Sequence, residues 1–276
     1  MIQTNKISFS YGDTPVLENI TMKFECGCIY GLLGENGVGK TTLLTLLCGL
    51  KKVNAGEISV DGCNPYERKP STMSSIYYLP DEVAPVAMTP ETYAVNYGKF
   101  WESFDIVKFR QVMQEFENPL THRMDRMSCG QLKKTYIAFA LATNARYLLM
   151  DEPTNGLDIP SKAQFRSAVT RHTSEDSTII ISTHQVRDME NIIDPIVILD
   201  RRDVLLNAGI REITEKLFFD YGTQLHPDAL YAEVVPGMAV QVLRNTSGAE
   251  SKVSIEALFN AVHAHKEEIK AMFTKE

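Results

Sequence analysis

Apolar and polar positions alternate over residues 6–10 and 20–24, the period of a strand with one buried face. Residues 28–33 are more continuously apolar, as a strand covered on both faces would be. A glycine-rich turn follows, then a helix-like stretch over 43–50. Shorter strands fit 57–60 and 75–79. Between about 90 and 127 the period changes to helical. Trp101, Phe104, Phe109, Val112, Met113 and Phe116 fall near i, i+3, i+4, i+7 spacing and predict an amphipathic stripe, with Pro119 as a break. A second helix is expected over 130–143. An all-apolar strand over 147–150 ends in Asp151 and Glu152. Helices at 161–172 and 186–193 then flank a strand at 178–182, and 196–200 with 203–206 reads as a hairpin. Strands alternating with helices imply a largely parallel sheet. Beyond about residue 209 the pattern predicts a helix over 211–221. Two strands over 230–235 and 238–244 are expected around Pro236-Gly237, followed by a last amphipathic helix from Ile255 to Phe273.

The turn after the third strand carries the first chemistry. Gly34-Glu35-Asn36-Gly37-Val38-Gly39-Lys40-Thr41 matches G-x-x-x-x-G-K-[ST] in the strand–turn–helix setting a phosphate-binding loop requires. Its glycines let backbone N–H groups converge on phosphate oxygens, and the helix N-terminus adds a favourable dipole. Lys40 would reach the β- and γ-phosphates, and the Thr41 hydroxyl would hold Mg²⁺. The strand ending in Asp151 supplies a carboxylate for the same ion. Glu152 sits where it can polarise a water attacking the γ-phosphate.

Composition narrows the setting. The 276 residues hold 28 Lys+Arg against 35 Asp+Glu, a net charge of −7, which argues against a general nucleic-acid binder. No run approaches the roughly 20 apolar residues that span a bilayer. Residues 1–10 lack the pattern of a secretory signal. Five cysteines without framework spacing read as reduced thiols, with Cys26 and Cys28 packing rather than binding metal.

Further motifs follow in order: Met127-Ser128-Cys129-Gly130-Gln131, then Asp151-Glu152-Pro153-Thr154-Asn155-Gly156-Leu157-Asp158, then Ser182-Thr183-His184. With the phosphate loop, their order and spacing resemble the nucleotide-binding domain of ATP-binding cassette (ABC) transporters over about residues 1–210. The resemblance implies a P-loop NTPase of α/β class: a mostly parallel core sheet, an antiparallel β subdomain, an inserted helical subdomain over about 88–140, and a small α/β extension over 211–276. It implies ATP and Mg²⁺ as ligands, with Tyr11 stacking on adenine and Gly34, Asn36, Gly37, Gly39, Lys40, Thr41 and Thr42 clasping phosphates and Mg²⁺. Glu152 would be the catalytic base and His184 the switch histidine. Thr41, Asp151 and Asp81 would face the metal. Ser128, Gly130 and Gln131 would meet nucleotide held by an opposite protomer, and Asp158 would join the two sites. The implied partners are a second nucleotide-binding subunit, with a homodimer expected, and separate transmembrane permease subunits. The implied location is the cytoplasmic face of the cell membrane.

Two positions depart from the family pattern. Asp81 stands where Gln is usual, and Cys129 where Gly is usual, a place at which a side chain would restrict φ. At the subfamily level the sequence is similar to ATPase subunits of bacterial drug, antibiotic and lipid exporters, while import motors carry the same motifs. A soluble ABC protein driving a non-transport process is the reading from a different class. The extension after residue 209 carries no legible motif, and packing on the core with some dimer contact is the expectation for it.

Overall fold

The early alternation becomes an antiparallel pair, β1 (Ile2–Tyr11) and β2 (Thr14–Phe24), joined at Gly12, whose φ of 56° a glycine adopts without strain. The structure is a computed structural model and describes residues 1–273. Next come β3 (Ile29–Leu33), α1 (Lys40–Leu47) and β4 (Ala55–Val60); β4 adds to the other edge of β1 and completes an antiparallel sheet ordered β2-β1-β4. After α2 (Pro70–Ser74) and β5 (Ile76–Leu79), the chain forms α3 (Pro90–Gly98), α4 (Ile106–Glu115) and α5 (Cys129–Ala142). It then returns through β6 (Tyr147–Asp151), α6 (Ile159–His172), β7 (Thr178–Ser182), β8 (Ile196–Asp200) and β9 (Asp203–Ala208).

The main sheet is ordered β5-β6-β7-β3-β8-β9. Every pairing in it is parallel except the β8–β9 hairpin. This is an α/β architecture of the kind the resemblance implies: a mixed, mostly parallel core sheet, an antiparallel β subdomain and a helical subdomain. The order decides where chemistry can occur. The phosphate loop leaves β3 at the middle of the sheet, so the ends of β5, β6 and β7 all open toward the edge where such folds bind ligands.

Beyond β9, α7 (Ile210–Lys216) leads into β10 (Leu217–Gly222), β11 (Tyr231–Val235) and β12 (Met238–Arg244), a sheet ordered β10-β12-β11. The chain then ends in α8 (Ile255–Ala264) and α9 (Lys266–Phe273). Leu217, Phe219, Leu258, Val262 and Phe273 belong to the same apolar core as Ile179, Ile198, Phe109 and Phe139. The extension is therefore packed on the cassette. A second core lies on the other face of the main sheet, where Leu43, Leu44 and Leu47 of α1 meet Ile7, Leu17 and Ile20.

Four local expectations are corrected. The stripe from Trp101 to Phe116 is not one helix: Asp105 accepts the Val107 and Lys108 N–H groups at 2.8 and 3.0 Å and starts α4 at Ile106. Residues 186–193 form only a 3₁₀ turn, Val186–Asp188. No side chain caps its start, and the Met189 and Ile192 N–H groups bond three residues back. The helix expected over 211–221 stops at Lys216, because Leu217 and Phe219 alternate inward and the segment pairs with β12. The last helix is two, broken at His265 with φ −128° and ψ 51°. The final three residues of the expected extension lie outside the described residues.

Phe139 shows how the helical subdomain is fixed. It is buried on α5 with Tyr77, Tyr93, Trp101, Phe104 and Phe109 around it at centroid distances of 4.9 to 6.5 Å. Phe139→Ala would empty the middle of that cluster. A loss of about 3–5 kcal/mol in unfolding free energy is expected, read by urea denaturation followed by circular dichroism.

Candidate functional site

The phosphate loop is shaped by two glycines with positive φ, Gly37 at 78° and Gly39 at 110°. At Gly39 a side chain would be strained by the backbone itself, and a Cβ would press on the Leu17 Cδ2 at 2.8 Å. Gly39 is the N-cap of α1 and supplies no side-chain cap, which leaves the first-turn amides free of a side-chain acceptor. Lys40 folds back over this loop, and its Nζ donates to the Gly34 carbonyl at 2.7 Å and the Glu35 carbonyl at 3.1 Å. Burial pushes its ammonium down, opposed by the charges of Glu152 and Asp151.

Asp151 ends β6 with both carboxylate oxygens engaged. The Thr41 hydroxyl donates to Oδ2 at 2.6 Å, and the Ser182 hydroxyl donates to Oδ1. Glu152 follows with φ 45°, a left-handed conformation that a glutamate adopts at a cost. Its amide bonds the Ser182 carbonyl at 3.0 Å, which joins the turn to β7. Its Oε1 accepts the His184 backbone N–H at 3.0 Å and lies 2.7 Å from His184 Nδ1. Its Oε2 is buried with no hydrogen-bond partner.

Asp81, just beyond β5, is held from two sides. Asn155 Nδ2 donates to its carboxylate at 3.1 and 3.3 Å. Lys133 on α5 donates to its carbonyl at 2.5 Å and to that of Pro80 at 3.2 Å. Tyr11 lies half exposed, with its hydroxyl 3.4 Å from the Thr42 hydroxyl and the Lys51 ammonium 4.8 Å above its ring.

Tyr11, Val16, Asn36, Gly37, Gly39, Lys40, Thr41, Thr42, Asp81, Asp151, Glu152 and His184 line one cleft of about 430 Å³. Gly34 does not line it and contributes the carbonyl that holds Lys40. Ser128, Gly130 and Gln131 stand elsewhere, at the start of α5. There the Ser128 hydroxyl accepts the Gln131 N–H at 3.2 Å, and the Gln131 side chain accepts the Ser128 N–H at 3.1 Å. Cys129 opens that helix and is absent from the positive-φ residues, so its Cβ brings no backbone strain. Asp158 caps α6 through the Ser161 N–H at 2.9 Å.

A profile of the family described as ABC transporter matches residues 17–155. The cobalt import ATP-binding protein CbiO of Salmonella typhimurium is 30% identical over 232 residues, covering 77% of this chain and 82% of that protein. The chain belongs to the ABC transporter family. The subunit is an ABC ATPase that binds ATP and couples its hydrolysis to transport. The Nod factor export ATP-binding protein I of Cupriavidus pinatubonensis is 28% identical over 207 residues, covering 72% of this chain and 63% of that protein. The fold matches a solved dimer of the ATP-binding cassette MJ0796 bound to ADP and Pi. The TM-score is 0.67 at 19% identity, covering 76% of this chain and 99% of that one.

Sequence reasoning overlooked two lysines of this ATPase. Lys51 lies in the turn after α1, and nothing in the sequence aims it at Tyr11. Lys133 left no trace: its chain neighbours Gln131, Lys134 and Thr135 are polar, and only the fold shows it to be 3% exposed. Burial pushes its ammonium down, with Asp81, Asp151 and Glu152 opposing. Among the described residues, no helix is long and apolar enough to cross a membrane.

Proposed function

We propose that this ATPase subunit hydrolyses Mg²⁺-ATP as one half of a head-to-tail homodimer that drives a separate membrane permease, in the direction of export. The observation that carries the reading is a division in the site. One cleft gathers Lys40, Thr41, Asp151, Glu152 and His184, whereas the Ser128 end of α5 is exposed and does not line it. A second copy would complete the cleft with its own Ser128, Gly130 and Gln131, and Asp158 would lie on the segment between the two sites.

The donor set suits a small, hard cation: the Thr41 hydroxyl and the carboxylates of Asp151 and Asp81 are oxygen ligands on one cleft wall. Thr41, Asp151 and Asp81 would hold Mg²⁺, which would supply charge neutralisation at the phosphates. Lys40 would exchange its two carbonyl contacts for phosphate oxygens, and Gly37, Gly39, Thr41 and Thr42 would offer backbone N–H groups. Glu152 would take the proton of the attacking water through the unpartnered Oε2, while His184 holds the other oxygen. The peptide turn that forces Glu152 to φ 45° is what aims it.

Tyr11 would stack on adenine. Tyr11→Ala should raise the KM for ATP about tenfold, since base stacking is worth about 1–3 kcal/mol, and Tyr11→Phe should leave it unchanged. Steady-state ATPase assays at graded ATP decide this.

The permease would seat on a groove of about 440 Å³ between the core and the helical subdomain, lined by Leu50, Met73, Tyr78, Phe100 and Trp101 among others. Such a subunit would be peripheral on the cytoplasmic membrane face. Residues 1–210 would form the cassette and 211–276 an appended element. Export rests on the likeness of residues 16–20 and 29–50 to exporter ATPases and on the Nod factor export relative. Capture of the tagged chain from detergent-solubilised native membranes, with mass spectrometry, should yield a stoichiometric multi-span partner. Substrate accumulating in inverted vesicles with ATP supports export, whereas uptake into right-side-out vesicles overturns that direction. Exclusively soluble partners would overturn the transporter motor altogether.

A further inference from the structure

Lys133 is buried, charged and unused by the chemistry above. Among the described residues its Nζ meets the segment that presents Asp81: the Pro80 carbonyl at 3.2 Å, the Asp81 carbonyl at 2.5 Å and the Asp81 carboxylate at 3.6 Å. A desolvated ammonium with no such partners would be costly, so the lysine and that segment fix each other. Asn155, in the turn after Glu152, closes the arrangement by donating to both Asp81 oxygens. Lys133 also lies on the helix whose first turn carries Ser128 and Gln131.

We infer that Lys133 is a positioning residue of the nucleotide site, holding the segment after β5 so that Asp81 faces the divalent cation. In this way it ties the cation side of the cleft to the partner-facing start of α5. The inference rests on the reading of the cleft as the Mg²⁺-ATP site. Lys133 does not line the cleft. It acts through Asp81, and it makes the shift from Gln to Asp at position 81 workable. The Lys133 ammonium, bonded to the Asp81 carbonyl, opposes from behind the backbone the hydrogen bonds by which Asn155 holds the Asp81 carboxylate.

The test reads metal binding rather than turnover. Mn²⁺ affinity is measured by electron paramagnetic resonance on the full chain saturated with the non-hydrolysable analogue AMP-PNP. Lys133→Met should weaken Mn²⁺ by about 10–100-fold, the range for residues that orient a ligand, while binding of trinitrophenyl-ATP in EDTA stays within about twofold. Lys133→Arg should not recover the loss, because the side chain is 3% exposed with its Nζ between two carbonyls, a place for a compact ammonium. Lys133→Gln keeps an N–H donor without the charge and serves if the methionine variant lacks a cooperative melt. Combined with Asp81→Asn, either neutral variant should add nothing further to the loss of Mn²⁺ affinity. Unchanged Mn²⁺ affinity in a folded Lys133 variant overturns the positioning role. Asp151→Asn separates the two readings. If it abolishes Mn²⁺ binding while the Lys133 variants do not, only the present inference falls. If it too has no effect, the cation is not held in this cleft and the site reading falls with it.

Discussion

Glu152→Gln is expected to bind ATP with near-normal affinity and to hydrolyse it about 10²–10⁴-fold more slowly, the range lost when a general base is removed. The amide is nearly isosteric with the carboxylate. Its carbonyl oxygen can still accept the His184 N–H that Oε1 accepts at 3.0 Å, so the turn and the switch segment should keep their places. What changes is the second atom. Oε2 is buried without a partner, a lone pair held ready and desolvated, and the glutamine puts an N–H₂ donor there that cannot take a proton. Single-turnover hydrolysis with radiolabelled ATP, beside a binding titration, separates the two quantities. Loss of binding and turnover in parallel would mean that Glu152 organises the loop and is not the base. His184 is coupled to this outcome, since its ring shares the same carboxylate oxygen.

Lys40→Ala should lower ATP affinity by about 10²-fold or more, because charge-assisted hydrogen bonds to phosphate are worth about 1.5–3 kcal/mol each and the lysine is placed to make more than one. The same change strips the cleft of the cation that offsets Asp151 and Glu152, so two carboxylates would then face an incoming polyphosphate. Lys40→Arg should not restore binding. The side chain is 7% exposed with its Nζ pinned between two carbonyls, and a planar guanidinium does not fit a site built for a point charge. Titration with trinitrophenyl-ATP measures the effect, and a thermal melt shows whether the fold survives. An affinity within threefold of the parent would remove Lys40 from the phosphate site.

Much of the cassette is legible in the chain because its elements carry local signals. The strand at 178–182 reads directly from the apolar run Ile179-Ile180-Ile181, and the hairpin at 196–206 from two apolar runs around a polar turn. The extension is where local reading fails. Leu217, Phe218 and Phe219 suit a helix or a strand equally well, and only pairing with β12 decides. The turn at 186–193 has helical spacing of its buried residues, Met189 and Ile193, yet no cap to start a helix.

The sequence by itself determined the family and its candidate site. Gly34 to Thr41, Asp151-Glu152 and Ser182-Thr183-His184 are contiguous strings whose residue types suit phosphate, cation and water, and short strings survive without tertiary context. The tertiary structure alone decided which groups hold them. Sheet order brings Ser182 to Asp151, Glu152 to His184, and Lys133 to Asp81 across 52 residues of chain. Such contacts follow from strand pairing and helix packing over long separations, and no local pattern encodes them. The folded molecule also shows the Ser128 end of α5 standing away from the cleft, as the resemblance implies; no local pattern could place it, because which surface a helix end faces depends on everything packed behind it.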